Sequence, residues 1–325
     1  MNDTVRCVLC PHACIIEPGE RGTCRVRLNR GGELVSLVYG RPAAVSVDPV
    51  EKKPLFHFLP GSTSFSIACV GCNLGCLGCQ NWEISQASPE DVPPYDMPPQ
   101  AVVEEASRAG CRSIAYTYTE PVVWFEYVAD TALLAREAGL ANILVTAGYI
   151  NEGPLRELAA VTDAANVDVK GATDSFYRSM CRGTLAPVLR SIEVLQEEGV
   201  WLELTNLVIP GWNDARSDFE ALVGDLASRV GTSTPLHFSR FFPMYRLLDV
   251  PPTPLATLET ARDIARDAGF EHVYIGNVAA RDGSNTICPS CGTMLIVRSG
   301  YTVESNILVD GACPYCGTAV TGRWR

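Results

Sequence analysis

The sequence predicts an α/β fold, a partial (β/α)6 barrel with a cysteine-rich metal-binding extension at each end. Two observations predict the barrel and one the extensions. Apolar, β-rich runs alternate with helical stretches six times, and polar residues close those runs; cysteines gather near both termini. Parallel βαβ units give such an alternation. With 325 residues, 47% apolar and 19% charged, the chain can bury a large core and is too apolar for long disordered segments.

The β-rich runs are SFSIACVGC (64–72), SIAYTYTEP (113–121), ANILVTAG (141–148), ANVDVKG (165–171), WLELTNLVIP (201–210) and PLHFSRFFP (235–243). Between them PPQAVVEEASRAG, VWFEYVADTALLAREAG and LRSIEVLQEEG read as helices that stop at glycine. LATLETARDIARDAG followed by HVYIGNV is a candidate further unit. The expected divisions are an N-terminal extension over 1–60, the barrel over 61–280, and a zinc-ribbon or rubredoxin-like domain over 281–325. In TIM-like barrels the chemistry sits on the loops after the C-terminal strand ends. Those positions hold Thr119 and Glu120, Thr146, Asp168 and Lys170, Asn206, and His237 with Arg240. Polar groups ending every strand at one face would be costly unpaired, so they mark a site.

Charge and termini exclude other classes. Against 26 Lys and Arg stand 37 Asp and Glu, for a net charge of −11, and no basic run carries interleaved aromatics. Nucleic acid is therefore not an expected partner. The chain does not open on a basic segment followed by an apolar run, and no stretch reaches the roughly 18 uncharged apolar residues of a membrane span. The expectation is a soluble cytoplasmic protein with no membrane partner. Because the cytosol keeps thiols reduced, its fourteen cysteines are candidate metal ligands before they are disulfides.

Near the C-terminus, CPSCG and CPYCG place Cys288, Cys291, Cys313 and Cys316 in two CxxC knuckles around MLIVRSGYTV, which alternates like a hairpin. Four thiolates at that spacing suit zinc or a rubredoxin-like iron. The N-terminal group, Cys7, Cys10, Cys14 and Cys24 in CVLCPHACIIEPGERGTC, is less regular. It is a candidate metal site, zinc first, with His12 as a substitute ligand; simple packing or pairing of the thiols is the alternative. The middle group differs. In CNLGCLGCQNW, Cys72, Cys76 and Cys79 have no fourth cysteine in range. Three thiolates can hold three irons of a [4Fe-4S] cluster and leave the fourth iron open to a ligand.

The CxxxCxxC spacing is the signature of the radical S-adenosylmethionine (SAM) superfamily, and the likeness runs nearly end to end: CVLCPHAC, GERGTCRVR, EKKPLFHFLPG, GCNLGCLGCQNWEIS, AYTYTEP, VDVKG, LVIPGWND, PLHFSRFFP, PPTPLATL, YIGNV and NTICPSCG. The chain resembles the radical SAM member of the AmmeMemoRadiSam group, itself similar to the pyruvate formate-lyase activating enzymes. The resemblance implies that Cys72, Cys76 and Cys79 ligate the cluster and that TYTEP stands in place of a GGEP motif, so that Thr119 and Glu120 meet the methionine amino group of SAM. It sets Asp168 and Lys170, with Thr146 beside them, near the SAM carboxylate or a bound cation, and puts Asn206 and His237 at the ribose. It also implies an electron donor such as flavodoxin or ferredoxin, reductive cleavage of SAM to a 5′-deoxyadenosyl radical, and hydrogen abstraction from a substrate.

Departures from the family pattern are Gly78 where an aromatic is usual, Ala147 in TAG for TNG, Met244 where Asp is common, and Ala279, Ala280 and Arg281 in place of a Gly-rich link. They fall on barrel-top loops, which implies a changed pocket. Three readings follow. The first expected is a small-molecule tailoring enzyme acting on a sugar or natural product, for instance an epimerase with Cys181 as second hydrogen donor. Its alternative abstracts hydrogen from a glycine of a partner protein, and the third is a non-catalytic iron–sulfur protein, for which TYTEP and DVKG would be superfluous. Of the single cysteines Cys69, Cys111 and Cys181, the last follows the fourth run in YRSMCRGT; the ordinary reading of each is a small buried hydrophobe.

Overall fold

A computed structural model describes residues 3–278, 280 and 282–325; Ala279 and Arg281, two of the loop departures, lie outside the described residues. Eight strands form the central sheet: β1 (Ala44–Pro49), β2 (Thr63–Ala68), β3 (Ser113–Tyr116), β4 (Ala141–Thr146), β5 (Ala164–Asp168), β6 (Trp201–Val208), β7 (Leu236–Arg240) and β8 (Val273–Gly276). They lie in sequence order from one edge to the other, and the sheet is not closed. From β2 to β8 every neighbour is parallel, and β1 adds antiparallel to β2. All six expected strands are present, and HVYIGNV supplies the further one. The strand β1 was not expected: AVSVDP is short and ends in proline, which removes a ladder donor and suits an edge strand.

The expected runs overshoot the strands. SIAYTYTEP stops being strand after Tyr116, and ANVDVKG after Asp168. The polar tails of those runs are loops, which is where a parallel α/β sheet carries its chemistry.

Among the described residues six helices of eight residues or more join the parallel strands: α1 (Pro99–Arg108), α2 (Phe125–Glu137), α3 (Glu152–Ala159), α4 (Leu185–Glu197), α5 (Arg216–Val230) and α6 (Leu255–Asp267). Each buries an apolar stripe in one continuous core, as with Val188, Ile192 and Leu195 on α4 and Leu258, Ala261 and Ala265 on α6. After α2 and α4 the chain turns at Gly139 and Gly199, both at φ 76°, the left-handed conformation that ends a helix. A second apolar cluster joins Val50, Leu55, Phe58 and Leu59 to Ala115, Ile143, Ala164 and Trp201 of the strands. The segment after β1 is thus packed directly on the sheet.

Both cysteine-rich ends form small sheets. Val5–Arg6 pairs with Ile15–Ile16, and Arg27–Arg30 with Glu33–Ser36. At the C-terminus Thr286–Ile287, Met294–Ser299 and Thr302–Asn306 make a three-stranded antiparallel sheet, so MLIVRSGYTV is a hairpin as expected. Among the described residues no helix is long and apolar enough to cross a membrane.

Candidate active site

The loop after β2 is held from several sides. Asn73 donates through Nδ2 to Tyr149 O at 2.7 Å, Gly75 N to Cys181 O at 2.8 Å and Leu77 N to Met180 O at 2.9 Å. Gln86 donates to Leu74 O at 3.1 Å and Asn81 to Tyr118 O at 2.7 Å. A loop so pinned holds its three thiols in place without regular secondary structure. Met180 and Cys181 belong to a π-helical turn over Tyr177–Cys181, a rare geometry that recurs at functional sites.

Cys72, Cys76 and Cys79 line a cavity of about 400 Å³ together with Thr119, Glu120, Thr146, Asp168, Lys170, Cys181 and His237. That volume lies in the ordinary range for a small-molecule site. Seven of the expected residues from five segments of the chain therefore share one space with the three cluster cysteines. Asn206 does not. Its Nδ2 donates to Val169 O at 2.8 Å, its Oδ1 is buried without a partner, and its neighbours Thr205 and Leu207 line the cavity instead. Strand alternation explains this placement: counting inward positions from Trp201 gives 203, 205 and 207. Arg240, also expected at a strand end, stacks its guanidinium over the Phe242 ring.

Glu120 is the most constrained of the polar groups. Its carboxylate accepts from Thr146 Oγ1 at 2.6 Å and from Ala147 N at 2.8 Å, and is nearly fully buried. Burial pushes its pKa up, opposed by those donors. Thr119 donates to Cys69 O at 2.7 Å, so its hydroxyl oxygen retains acceptor capacity. Asp168 and Lys170 form an ion pair at 3.0 Å. Burial works against the Lys170 charge, yet Asp168 and the sulfurs of Cys76 and Cys181 outweigh it and raise the pKa. His237 Nε2 meets Glu203 Oε2 at 2.7 Å. The buried Glu203 also accepts from Phe56 N, His57 N and Trp201 Nε1. Sequence reading missed Glu203; its signal was an acid at an inward position of an otherwise apolar strand.

The thiols are tuned unequally. The Cys181 thiol lies against Cys76, and its hydrogen bond is the main cause that lowers the Cys76 pKa against burial. Burial pushes Cys72 well up and Cys79 up. Iron binding requires thiolates, so metal loading must release protons from this loop. Three sulfurs facing a cavity, with a carboxylate and an ammonium on its walls, fit a [4Fe-4S] cluster whose open iron takes an amino-acid-bearing ligand such as SAM.

Two loop departures have a physical reason. A Cβ at Gly78 would lie 3.0 Å from the Phe241 ring and 3.1 Å from Leu247, so Phe241 fills the room an aromatic at 78 would need. Ala147 presents its backbone N–H, not its side chain, to Glu120.

At the C-terminus the sulfurs of Cys288, Cys291, Cys313 and Cys316 all lie within 4.8 Å of one another. Hydrogen bonds with Thr318 hold Cys316 down at about 6, and those with Thr293 lower Cys291, which favours metal-binding thiolates. At the N-terminus Cys7, Cys10, Cys14 and Cys24 line a separate small cavity with His12 and Asn73. His12 directs Nε2 to Asn73 O at 2.7 Å, so the substitute ligand spends that nitrogen on the cluster loop.

Comparison with known proteins points to the same superfamily. The sequence model of the radical SAM superfamily matches residues 66–225. The uncharacterized protein MJ0808 of Methanocaldococcus jannaschii is 46% identical over 321 residues, covering 98% of this chain and 96% of that protein. The pyruvate formate-lyase 1-activating enzyme of Escherichia coli is 21% identical over 221 residues, covering 63% of this chain and 89% of that enzyme. The crystal structure of a radical SAM methyltransferase from Sphaerobacter thermophilus has a TM-score of 0.53 at 16% identity, covering 67% of this chain and 68% of that one, and shares the fold.

Proposed function

The chain belongs to the radical SAM superfamily, and on that premise we propose that it is a SAM-cleaving enzyme whose cluster is held by Cys72, Cys76 and Cys79 and whose substrate is a small molecule such as a sugar or natural product. The observation that carries this reading is the meeting of those three cysteines with Glu120, Asp168 and Lys170 around one cavity. When bound, cluster and SAM supply a one-electron reductive cleavage to a 5′-deoxyadenosyl radical that removes hydrogen from the substrate.

The chain's own residues bind and orient. Glu120, fixed by Thr146 and Ala147 N, accepts from the methionine ammonium with the lone pairs those donors leave free. Thr119 oxygen is a second acceptor beside it, and Lys170, steered by Asp168, faces the carboxylate. His237, anchored by Glu203, would meet the ribose, with Thr205 beside it on the cavity wall. Cys181 is the candidate second hydrogen donor for an epimerisation. We assign zinc to the C-terminal four cysteines, and the electron to a flavodoxin or ferredoxin in the cytoplasm. The motif resemblance supports membership of the AmmeMemoRadiSam group and the division of the chain at 60 and 280, with a partial barrel between.

The cavity's walls support the small-molecule substrate: Glu51, Lys52, Pro54 and Phe56, with Tyr301 of the C-terminal hairpin, line it and narrow the space open to a large partner. A second reading, hydrogen abstraction from a partner protein, draws on the similarity to the pyruvate formate-lyase 1-activating enzyme. Anaerobically reconstituted protein with dithionite and SAM should release 5′-deoxyadenosine, and none would sink both readings. In deuterium oxide a recovered small substrate should carry solvent deuterium that disappears in Cys181→Ala; label confined to a protein partner would favour the second reading.

A further inference from the structure

We propose that Cys7, Cys10, Cys14 and Cys24 hold a [4Fe-4S] cluster of their own, which hands electrons to the one at Cys72, Cys76 and Cys79. Sulfur spacing separates the candidate metals. A single ion with bonds of about 2.3 Å draws four sulfurs to about 3.8 Å of one another. The C-terminal four behave so, with Cys288 to Cys316 and Cys291 to Cys313 each at 3.6 Å. Among the described residues no other group of three or more Cys, His, Asp or Glu ligand atoms converges within 4.8 Å. The three sulfurs after β2 stay apart, as they should when each belongs to a different iron of one cluster. The N-terminal four follow that second pattern. They enclose a cavity of about 20 Å³, whereas sulfurs closed on one ion leave no room between them. Zinc, expected first from the spacing, fits this set poorly.

The local backbone is committed to the arrangement. Ala13 and Arg25, beside Cys14 and Cys24, have φ of 45° and 71°, left-handed positions that non-glycine residues occupy only when their surroundings enforce it. Thr23 N points to the Cys14 sulfur at 3.5 Å, and Cys7 N donates to Cys14 O at 2.9 Å. Cys7, Cys10 and Cys24 are buried and Cys14 is half-buried, so the centre would be shielded except at one corner.

Two contacts join this site to the cluster loop, one on each side of Cys72. A Cβ at Gly71 would fall 2.6 Å from Cys24 O, so the two backbones touch there and only glycine fits. On the other side His12 Nε2 meets Asn73 O at 2.7 Å. One electron from a low-potential donor of the flavodoxin or ferredoxin class reduces the N-terminal cluster by one unit. The electron then passes across residues 71–73 to the second cluster, the first returns to its oxidised form, and no proton moves. That destination rests on the function proposed above; the existence of the N-terminal cluster does not.

The test is anaerobic reconstitution of three forms of the full chain. Cys72→Ala/Cys76→Ala/Cys79→Ala should still carry about four iron and four sulfide beyond any metal at the C-terminal site, and give an electron paramagnetic resonance signal on reduction with dithionite. The wild-type chain should carry about twice as much, and Cys10→Ala/Cys24→Ala about half the wild-type load. In the doubly reduced wild type the signal should be broadened relative to the sum of the two variants, because neighbouring paramagnets couple. A triple variant without sulfide, holding zinc or a disulfide among the four cysteines, overturns the cluster. Eight iron in the wild type with an unbroadened, additive signal overturns the hand-over. A colourless wild type overturns the assignment even if both variants misfold. Absence of 5′-deoxyadenosine from a chain that carries both clusters overturns the proposed reaction and leaves this site standing.

Discussion

Thr146 and Glu120 come from different strand ends and meet at 2.6 Å, so one residue's role is to aim the other. Buried carboxylates need donors, and Thr146 Oγ1 supplies one to Oε1 while itself accepting from Gly148 N at 2.9 Å. Replacing the hydroxyl by a methyl leaves the carboxylate a donor short, at a typical cost of about 1–3 kcal/mol. Thr146→Val should therefore weaken SAM binding roughly tenfold or more in reconstituted protein, as read by equilibrium dialysis, and Thr146→Ser should restore most of it. Equal affinity in the valine variant would show that Glu120 does not depend on this bond. Sequence reading placed both residues at the site but treated each as a contact to SAM, because a list of strand ends cannot say which polar groups satisfy one another. The same limit explains Asn206 and Glu203. Both lie on β6, and only the phase of the strand decides that Glu203 points inward to anchor His237 while Asn206 binds Val169 O on the other side.

The element that matters most is the loop after β2, and its shape depends on what packs beneath it. Gly78 has ordinary backbone; its requirement is steric, since Phe241 and Leu247 occupy the space a side chain would take. An aromatic at 78 overfills this space, and overpacking costs about 1–3 kcal/mol. Gly78→Tyr should lower the melting temperature and the iron content together. Phe241→Ala alone should also destabilise, by about 3–5 kcal/mol for loss of a fully buried ring. If the two positions trade volume, the double variant will be more stable than the summed single costs by about 1 kcal/mol or more in denaturant unfolding of the apo chain. Additivity would mean that the loop, not the ring, sets the space. The elements themselves were largely readable: apolar runs with intervening helical stretches give the parallel sheet, and glycines mark helix ends. What escaped was β1, whose six residues end in proline, and the true strand ends, because β-branched and aromatic residues in TYTEP and LVIP extend the pattern beyond the last ladder bond.

At the scale of the whole molecule, the C-terminal sheet is bound into the core by buried polar groups. Arg298, on the hairpin, donates to Phe56 O at 2.7 Å and Thr286 Oγ1 at 3.0 Å and pairs with the buried Glu51 at 3.5 Å. His57 joins Thr321 O at 2.7 Å to Tyr274 Oη of β8 at 2.6 Å. Leu59 N reaches Arg323 O at 2.7 Å, so the segment after β1 is clamped between the sheet and the chain's last residues. A metal bound by Cys288, Cys291, Cys313 and Cys316 would therefore support more than its own knuckles. The apolar core around these cysteines is small, comprising Leu295, Ile296 and Val320 with a few partly buried neighbours, too little to order some forty residues unaided. Stripping that metal, or Cys291→Ser/Cys316→Ser, should speed amide exchange about tenfold or more over 286–325 and, through Arg298 and His57, over 50–61. Exchange in Ala164–Asp168, at the centre of the sheet, should stay unchanged. Because Glu51 and Tyr301 both line the cavity, the same treatment should weaken SAM or substrate binding while the iron at Cys72, Cys76 and Cys79 is retained. Faster exchange confined to 286–325 would mean that the ribbon is an appendage and that the wall formed by residues 51–56 stands without it.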